Sequence, residues 1–524
     1  MRPALTAALC AGAVAIGFAG CGGDSDDGGT DLARFAPAGT PVFVQGAIRP
    51  EGGLKESVDA ILARFPDGDS VGQRLIQSID ESAKEDGQDF TYEDDIEPWL
   101  GERAAFFATS FRSDPKPAPG EGGTDLGDGA IVAEVTDEDT ARERIKALAD
   151  GPVTDTDYNG VTISTSPSKD TPGQVNAVAV FDGVAVAGTE QGVKDAVNAS
   201  TGQSLSSDSR YSGLAGDAGD DVMASAFVDP MPLIDAIPPS PGFGADERSA
   251  LEKAYGDALE DPVVASLQVT DDQVTIDFSA SSSDLTPTGG TALLGDGFSD
   301  AWAALGIPEL GKSFAGLSDP SRFGLSGSQI DEVDSAFQEQ SGFSLSDLGK
   351  LDDAAFFAAG TSIDQLQIGG IIQISDAAVR NKLLAAMRKG LAGSGATVRP
   401  ADLEGADQAF SVGVPDLPIP INVGVKGDEV VIGGGAATEA LLSSDGGLTD
   451  SEGYQAATDA LGEGTDLAFM LQLPPIVELV DSTGQSDADF EQARPYLDAF
   501  DFFAIGIQDD GDRSTSRTVV RFSD

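Results

Sequence analysis

The sequence predicts an α+β fold made of two tandem repeated units, with mostly antiparallel sheets and helices packed on one face. Three observations predict it. Six sequence features recur in the same order roughly 240 to 250 residues apart. Most alternating apolar runs are joined by tight turns, the connection that antiparallel neighbours use. The helical segments between strands are too short to force parallel crossovers.

The first element is not part of either unit. "MRPALTAALCAGAVAIGFAGC" carries one arginine and then an uncharged run of about sixteen apolar or small residues. Such a run is short of the roughly 20 residues that a membrane-spanning helix needs. Phe18-Ala19-Gly20-Cys21 looks like the lipobox of bacterial lipoproteins, with Phe18 where leucine is usual. Residues 1–20 therefore read as a lipoprotein signal peptide and Cys21 as the lipidated residue. Residues 21–35, acidic and glycine-rich, read as a flexible tether. The expected place of the chain is the outer face of the cytoplasmic membrane, extracytoplasmic and held in the cell envelope through Cys21. The competing reading, an uncleaved anchor helix, also leaves the rest of the chain outside.

The first unit is expected over 36–284 and the second over 285–524. "RAAFFATS" (103–110) recurs as "DAAFFAAG" (353–360), an apolar strand whose two faces are both expected to be covered. "GAIVAEVTDEDTARERIKALA" answers to "GGIIQISDAAVRNKLLAAMRKGLAG", each a strand, an N-cap at Thr136 or Ser375, and a helix. "NAVAVFDGVAVAGTEQGVKDAV" answers to "INVGVKGDEVVIGGGAATEALL", two strands joined at Asp182-Gly183 or Gly427-Asp428. Each unit then closes with a helix and a hairpin, "VVASLQVTDDQVTIDFSA" in one and "FFAIGIQDDGDRSTSRTVVRFS" in the other.

"APAGTPVFVQGAIRP", "WLGERAAFFA", the "YNGV" turn and this order of strands and helices resemble a bacterial family of exported, often lipid-anchored proteins of unknown function. The resemblance covers most of 36–524. It implies no activity and no catalytic residues.

Composition excludes several kinds of chemistry. There is no histidine in 524 residues, which removes imidazole acid/base catalysis, Ser-His-Asp and Cys-His arrangements and histidine metal sites. Of two cysteines, Cys10 lies in the segment to be removed and Cys21 is to be acylated, so thiolate metal sites and disulfides are excluded too. A net charge of −57, from 88 acidic and 31 basic residues, repels nucleic acid. Salt adaptation or compositional bias accounts for such a surface, and divalent cations or basic peptides are the charged partners that suit it.

Four motifs are candidates for chemistry. "GIPELGKS" (306–313) fits the phosphate-binding G-x-x-x-x-G-K-[ST]. Its context argues against nucleotide: "SDAWAAL" before it reads as a helix capped by Ser299, and Pro308 has no N–H to give. "DTDYNG" places Asp155, Asp157 and Asn159 at alternate positions, as calcium ligands would be, yet Ser166 stands where a calcium loop closes with glutamate. Asn159-Gly160 is also a hairpin turn signal, and "ADLEGA", the counterpart in the second unit, keeps the glycine without the ligands. "GDSVG" around Ser70 lacks a histidine base and reads as a loop between helices. "SPSK" offers Ser166 and Lys169 as a Ser-Lys pair, but "DTPG" ends any helix there.

The expectation is a non-catalytic lipid-anchored envelope protein with no cofactor, which binds an apolar small molecule, a lipid or a protein, or supports the envelope. The alternative is a histidine-independent extracytoplasmic enzyme using a carboxylate pair or Ser-Lys, with calcium at Asp155, Asp157 and Asn159.

Overall fold

The structure is a computed structural model that describes residues 31–85, 90–113, 124–147, 152–167, 175–215, 222–236, 248–249, 259–281, 292–312, 327–393, 395–414, 419–443, 447–484, 488–511 and 513–523. The chain divides into two compact units, Met1–Arg248 with Asp257–Ser281 and Ser249–Gly256 with Ser282–Asp524. The segment read as a signal peptide, Cys21 and the rest of 21–30 lie outside the described residues.

The first unit contains β1 (Val42–Ala47), β2 (Leu100–Ala108), the small pair β3 (Phe111–Ser113) and β4 (Thr124–Leu126), β5 (Gly129–Val135), β6 (Thr154–Tyr158), β7 (Val161–Pro167), β8 (Val175–Phe181), β9 (Val184–Thr189), β10 (Val222–Val228), β11 (Val263–Val269) and β12 (Gln273–Ser281). Its main strands lie in the order β6-β7-β8-β9-β5-β2-β1-β10-β11-β12, every neighbouring pair antiparallel. The second unit contains β13 (Ala301–Ile307), β14 (Ala354–Ala359), β15 (Gln367–Gln373), β16 (Thr397–Ala401), β17 (Gln408–Gly413), β18 (Ile421–Lys426), β19 (Glu429–Gly434), β20 (Asp466–Gln472), β21 (Phe500–Asp509) and β22 (Arg513–Phe522). Their order is β16-β17-β18-β19-β15-β14-β13-β20-β21-β22, again antiparallel throughout. Position for position the two orders are the same, and the class is α+β.

Alternation along the strands sets two faces. In the first unit Phe107, Val132 and Val186 point into a core closed by Val193, Ala196 and Val197 of the helix Glu190–Thr201. Ala104, Ala133 and Ala185 point the other way, against Ala141 and Ile145 of the helix Glu138–Ala147. In the second unit Phe357, Ile371 and Val431 face Leu441, Ala457 and Leu461 from two helices. Ala354, Val423 and Val430 face Val379 and Leu384 of the helix Ala377–Gly393. Among the described residues, helices therefore pack on one face of each sheet and on part of the other as well. Each fully buried Phe or Leu contributes about 1.5–3 kcal/mol by leaving water.

Four local readings are corrected. The tether does not extend to residue 35: Asp31 accepts a hydrogen bond from the Ala33 N–H at 3.1 Å, and Leu32, Ala33 and Phe35 are wholly buried. Phe35 meets Phe181 edge to face at 5.8 Å between ring centres, so residues 32–35 belong to the core of the first unit. The helix caps are Asp137 and Asp376, one residue after Thr136 and Ser375; their carboxylates accept N–H groups of Asp139 and Thr140, and of Ala378 and Val379. "SDAWAAL" is not a helix but the start of β13, because β14 and β20 flank it and their ladder bonds outweigh the helical preference of alanine. Finally, "AAFFA" in the second unit is not covered on both faces: Phe356 is 40% exposed.

Candidate functional site

That exposed phenylalanine marks the site. On the second face of the second unit, beyond the part covered by the helix Ala377–Gly393, the sheet floors an apolar cleft of about 590 Å³. Six neighbouring strands supply it: Phe469 from β20, Leu305 from β13, Phe356 and Ala358 from β14, Ile368 and Gly370 from β15, Ile432 and Gly434 from β19, and Ile421 from β18. At about 4.8 Å between strands, such a trough runs roughly 24 Å across the sheet. Among the described residues all 17 that line it are Ala, Leu, Phe, Ile or Gly, and none of these side chains carries a charge or a hydrogen-bonding group.

Gly369 and Gly370 shape β15 from both sides. A Cβ on Gly369 would come within 2.8 Å of Leu441 in the core, and one on Gly370 within 2.6 Å of the Phe356 ring in the cleft. The hollow therefore depends on a missing side chain. Its walls are large and exposed: Ile368 is 58% accessible, and Leu305, Phe356 and Ile419 also reach solvent.

The first unit shows that the fold does not require these side chains. Strand register equates Ile368 with Gly129, Gly370 with Ile131, Ile432 with Ala187, Ile421 with Asn176 and Phe469 with Ala226. One sheet places small or polar groups where the other places isoleucine and phenylalanine. Ile131, only 5% exposed, fills the place that Gly370 leaves open. The repeat holds this contrast, but strand register is needed to align the two units residue by residue.

The motifs singled out in the sequence lie elsewhere. Asn159 and Gly160, at φ 53° and 86°, form the two-residue turn between β6 and β7. Asp155 is held by Lys146 at 2.8 Å and Ser164 at 2.6 Å, and these bonds, Lys146 first, keep its carboxyl below the usual range. Asn159 donates to Asn198 at 3.0 Å, and Asp157 lies opposite Thr162 in the ladder. The three are brought to one hairpin but not to one centre; among the described residues no group of three or more His, Cys, Asp or Glu is placed to hold a metal ion.

"GIPELGK" does follow a strand, unlike the reading from sequence, but its donors are already used. The N–H groups of Glu309, Leu310, Gly311 and Lys312 go to Asp353, Asp352, Leu351 and Glu309, and Lys312 Nζ pairs with Glu309 at 2.8 Å. Ser70 donates to the Asp67 carbonyl at 2.8 Å in a short turn at the start of the helix Val71–Glu85. Ser166 is on β7 opposite Asn176, while Lys169 lies outside the described residues. A second hollow, about 570 Å³, gathers Asp300, Asp450 and Glu452, all three exposed. Two of the buried carboxylates are ion-paired, Asp229 with Arg210 at 2.7 Å and Asp347 with Lys382 at 3.0 Å.

Fold and cleft together define a class: an α+β chain with two antiparallel sheets of like order, one of them holding an open apolar cleft. Residues 5–290 match the family described as Protein of unknown function (DUF3352), and the chain belongs to that family. No curated protein matches the sequence. Among solved structures, crystal form IV of TP0453 is similar at TM-score 0.25 and 8% identity, over 48% of this chain and 81% of that one. Crystal form I gives 0.23 and 7%, over 50% and 82%.

Proposed function

We propose that this is a non-catalytic, lipid-anchored protein of the cell envelope that binds an apolar ligand in the cleft of its second unit. In this reading Cys21 carries the acyl anchor and residues 22–30 hold the units off the outer face of the cytoplasmic membrane. The observation that carries the reading is the cleft: about 590 Å³, within the roughly 300–1,000 Å³ of ordinary ligand sites, with walls of exposed isoleucine and phenylalanine. An apolar patch facing water on a chain of net charge −57 opposes solubility, and the first unit builds the same sheet without it.

The test is Nile red binding by the full chain carrying Cys21→Ser, which removes the acyl groups. A saturable blue-shifted emission is expected, and Phe356→Asp, which sets a charge in the middle of the floor, is expected to abolish it while circular dichroism stays unchanged. Absence of saturable binding by the parent chain would rule the proposal out.

A further inference from the structure

Resting on that reading, we infer that the cleft takes an uncharged long-chain lipid and discriminates against the fatty-acid anion of the same length. The trough crosses six neighbouring strands, so it suits an extended hydrocarbon chain better than a compact molecule. Among the described lining residues no Lys, Arg, hydroxyl or amide side chain is present to recognise a head group. The corresponding place in the first unit has one such handle, Asn176, and the second unit has Ile421 there.

The two places open to a carboxylate are both unfavourable. Inside the trough it would be desolvated without a partner, which costs several kcal/mol or more. At the mouth it meets no cation among the described lining residues, and a chain with 88 acidic residues against 31 basic. An alcohol or ester of the same chain keeps the hydrocarbon contact and loses much less.

The experiment displaces Nile red from the full chain carrying Cys21→Ser with 1-hexadecanol or with palmitate, at physiological ionic strength and alkaline pH. Hexadecanol is expected to act at about tenfold lower concentration or less, a factor equal to about 1.4 kcal/mol. Ile368→Lys, at an exposed position that tolerates charge, is expected to shift the ratio toward palmitate by supplying the missing cation. Equal potency of the two lipids, or an unchanged ratio in the folded Ile368→Lys chain, overturns the selectivity and leaves apolar binding standing. Nile red that binds but yields to neither lipid overturns the long-chain assignment. Failure of Nile red to bind at all overturns the proposed function itself.

Discussion

Gly370 stands opposite Phe356 in the β14–β15 ladder, and the phenylalanine ring lies where a Gly370 side chain would be. The equivalent pair in the first unit is Phe106 and Ile131, and there the space is filled. Gly370→Ala would place a Cβ 2.6 Å from Phe356 Cδ1, so the ring must swing out into the cleft. Two terms nearly cancel in stability: displacing a ring next to open space costs about 1 kcal/mol, and losing a strand glycine returns about 0.5–1 kcal/mol. The expected outcome is a melting temperature close to that of the parent chain with clearly weaker Nile red binding. Unchanged binding would show that the ring and the glycine do not set the cleft.

The Asn159-Gly160 hairpin is expected to behave as a turn and not as a cation site. Asp155 already has Lys146 and Ser164 as partners, and Asn159 is bonded to Asn198. Millimolar calcium should therefore leave the melting temperature unchanged. Gly160→Ala should lower stability by about 1 kcal/mol, because φ of +86° strains any L side chain although no atom lies within 4 Å of the added carbon. A calcium-dependent rise in melting temperature would contradict the first expectation.

The fold was legible because hairpins write themselves locally: Asp182-Gly183 and Gly427-Asp428 fix register between strands that are neighbours in sequence. The repeat added the order of those hairpins. The alanine-rich "SDAWAAL" misled because its strand state comes from β14 and β20, which lie tens to more than a hundred residues away. The cleft was illegible for the same reason. Its lining takes one to four residues from each of six strands, and Phe356 reads as core until the other face is seen to be bare. The absence of histidine, by contrast, needed no structure at all.

Asp137 and Asp376 cap matching helices in the two units, and hydrogen bonds from backbone N–H groups hold both carboxyls below their ordinary value of 3.8, Thr140 giving the largest effect on one and Ala378 on the other. A depressed folded value means that the carboxylate stabilises the fold above the ordinary value and loses that effect as pH falls through the depressed one. Asp376→Ala is expected to melt below the parent chain at neutral pH, with the gap narrowing once pH drops below 3.8. A gap independent of pH would assign the loss to packing and not to the charged cap.

The Asp229 carboxyl, beside Arg210, is shifted the other way. The Asp229 side chain is 1% exposed and its partner 43%, and burial raises the Asp229 carboxyl more than Arg210, 2.7 Å away, lowers it. Neither carboxylate oxygen receives a hydrogen bond of good geometry from a side chain, so the charge of Arg210 is the main compensation. Arg210→Met leaves a buried, unpaired carboxylate, and breaking such a pair costs about 3 kcal/mol at neutral pH. Removing the cation raises the carboxyl further; a group raised on folding favours the folded state while it is protonated and loses that advantage as pH rises through the raised value. The penalty of Arg210→Met is therefore expected to shrink toward acidic pH, where Asp229 takes a proton. Arg210→Met with Asp229→Asn is expected to recover most of the loss at neutral pH. Urea midpoints for the two chains at neutral and acidic pH give the comparison, and a penalty that grows on acidification would mean that the pair is not what holds this corner of the first unit together.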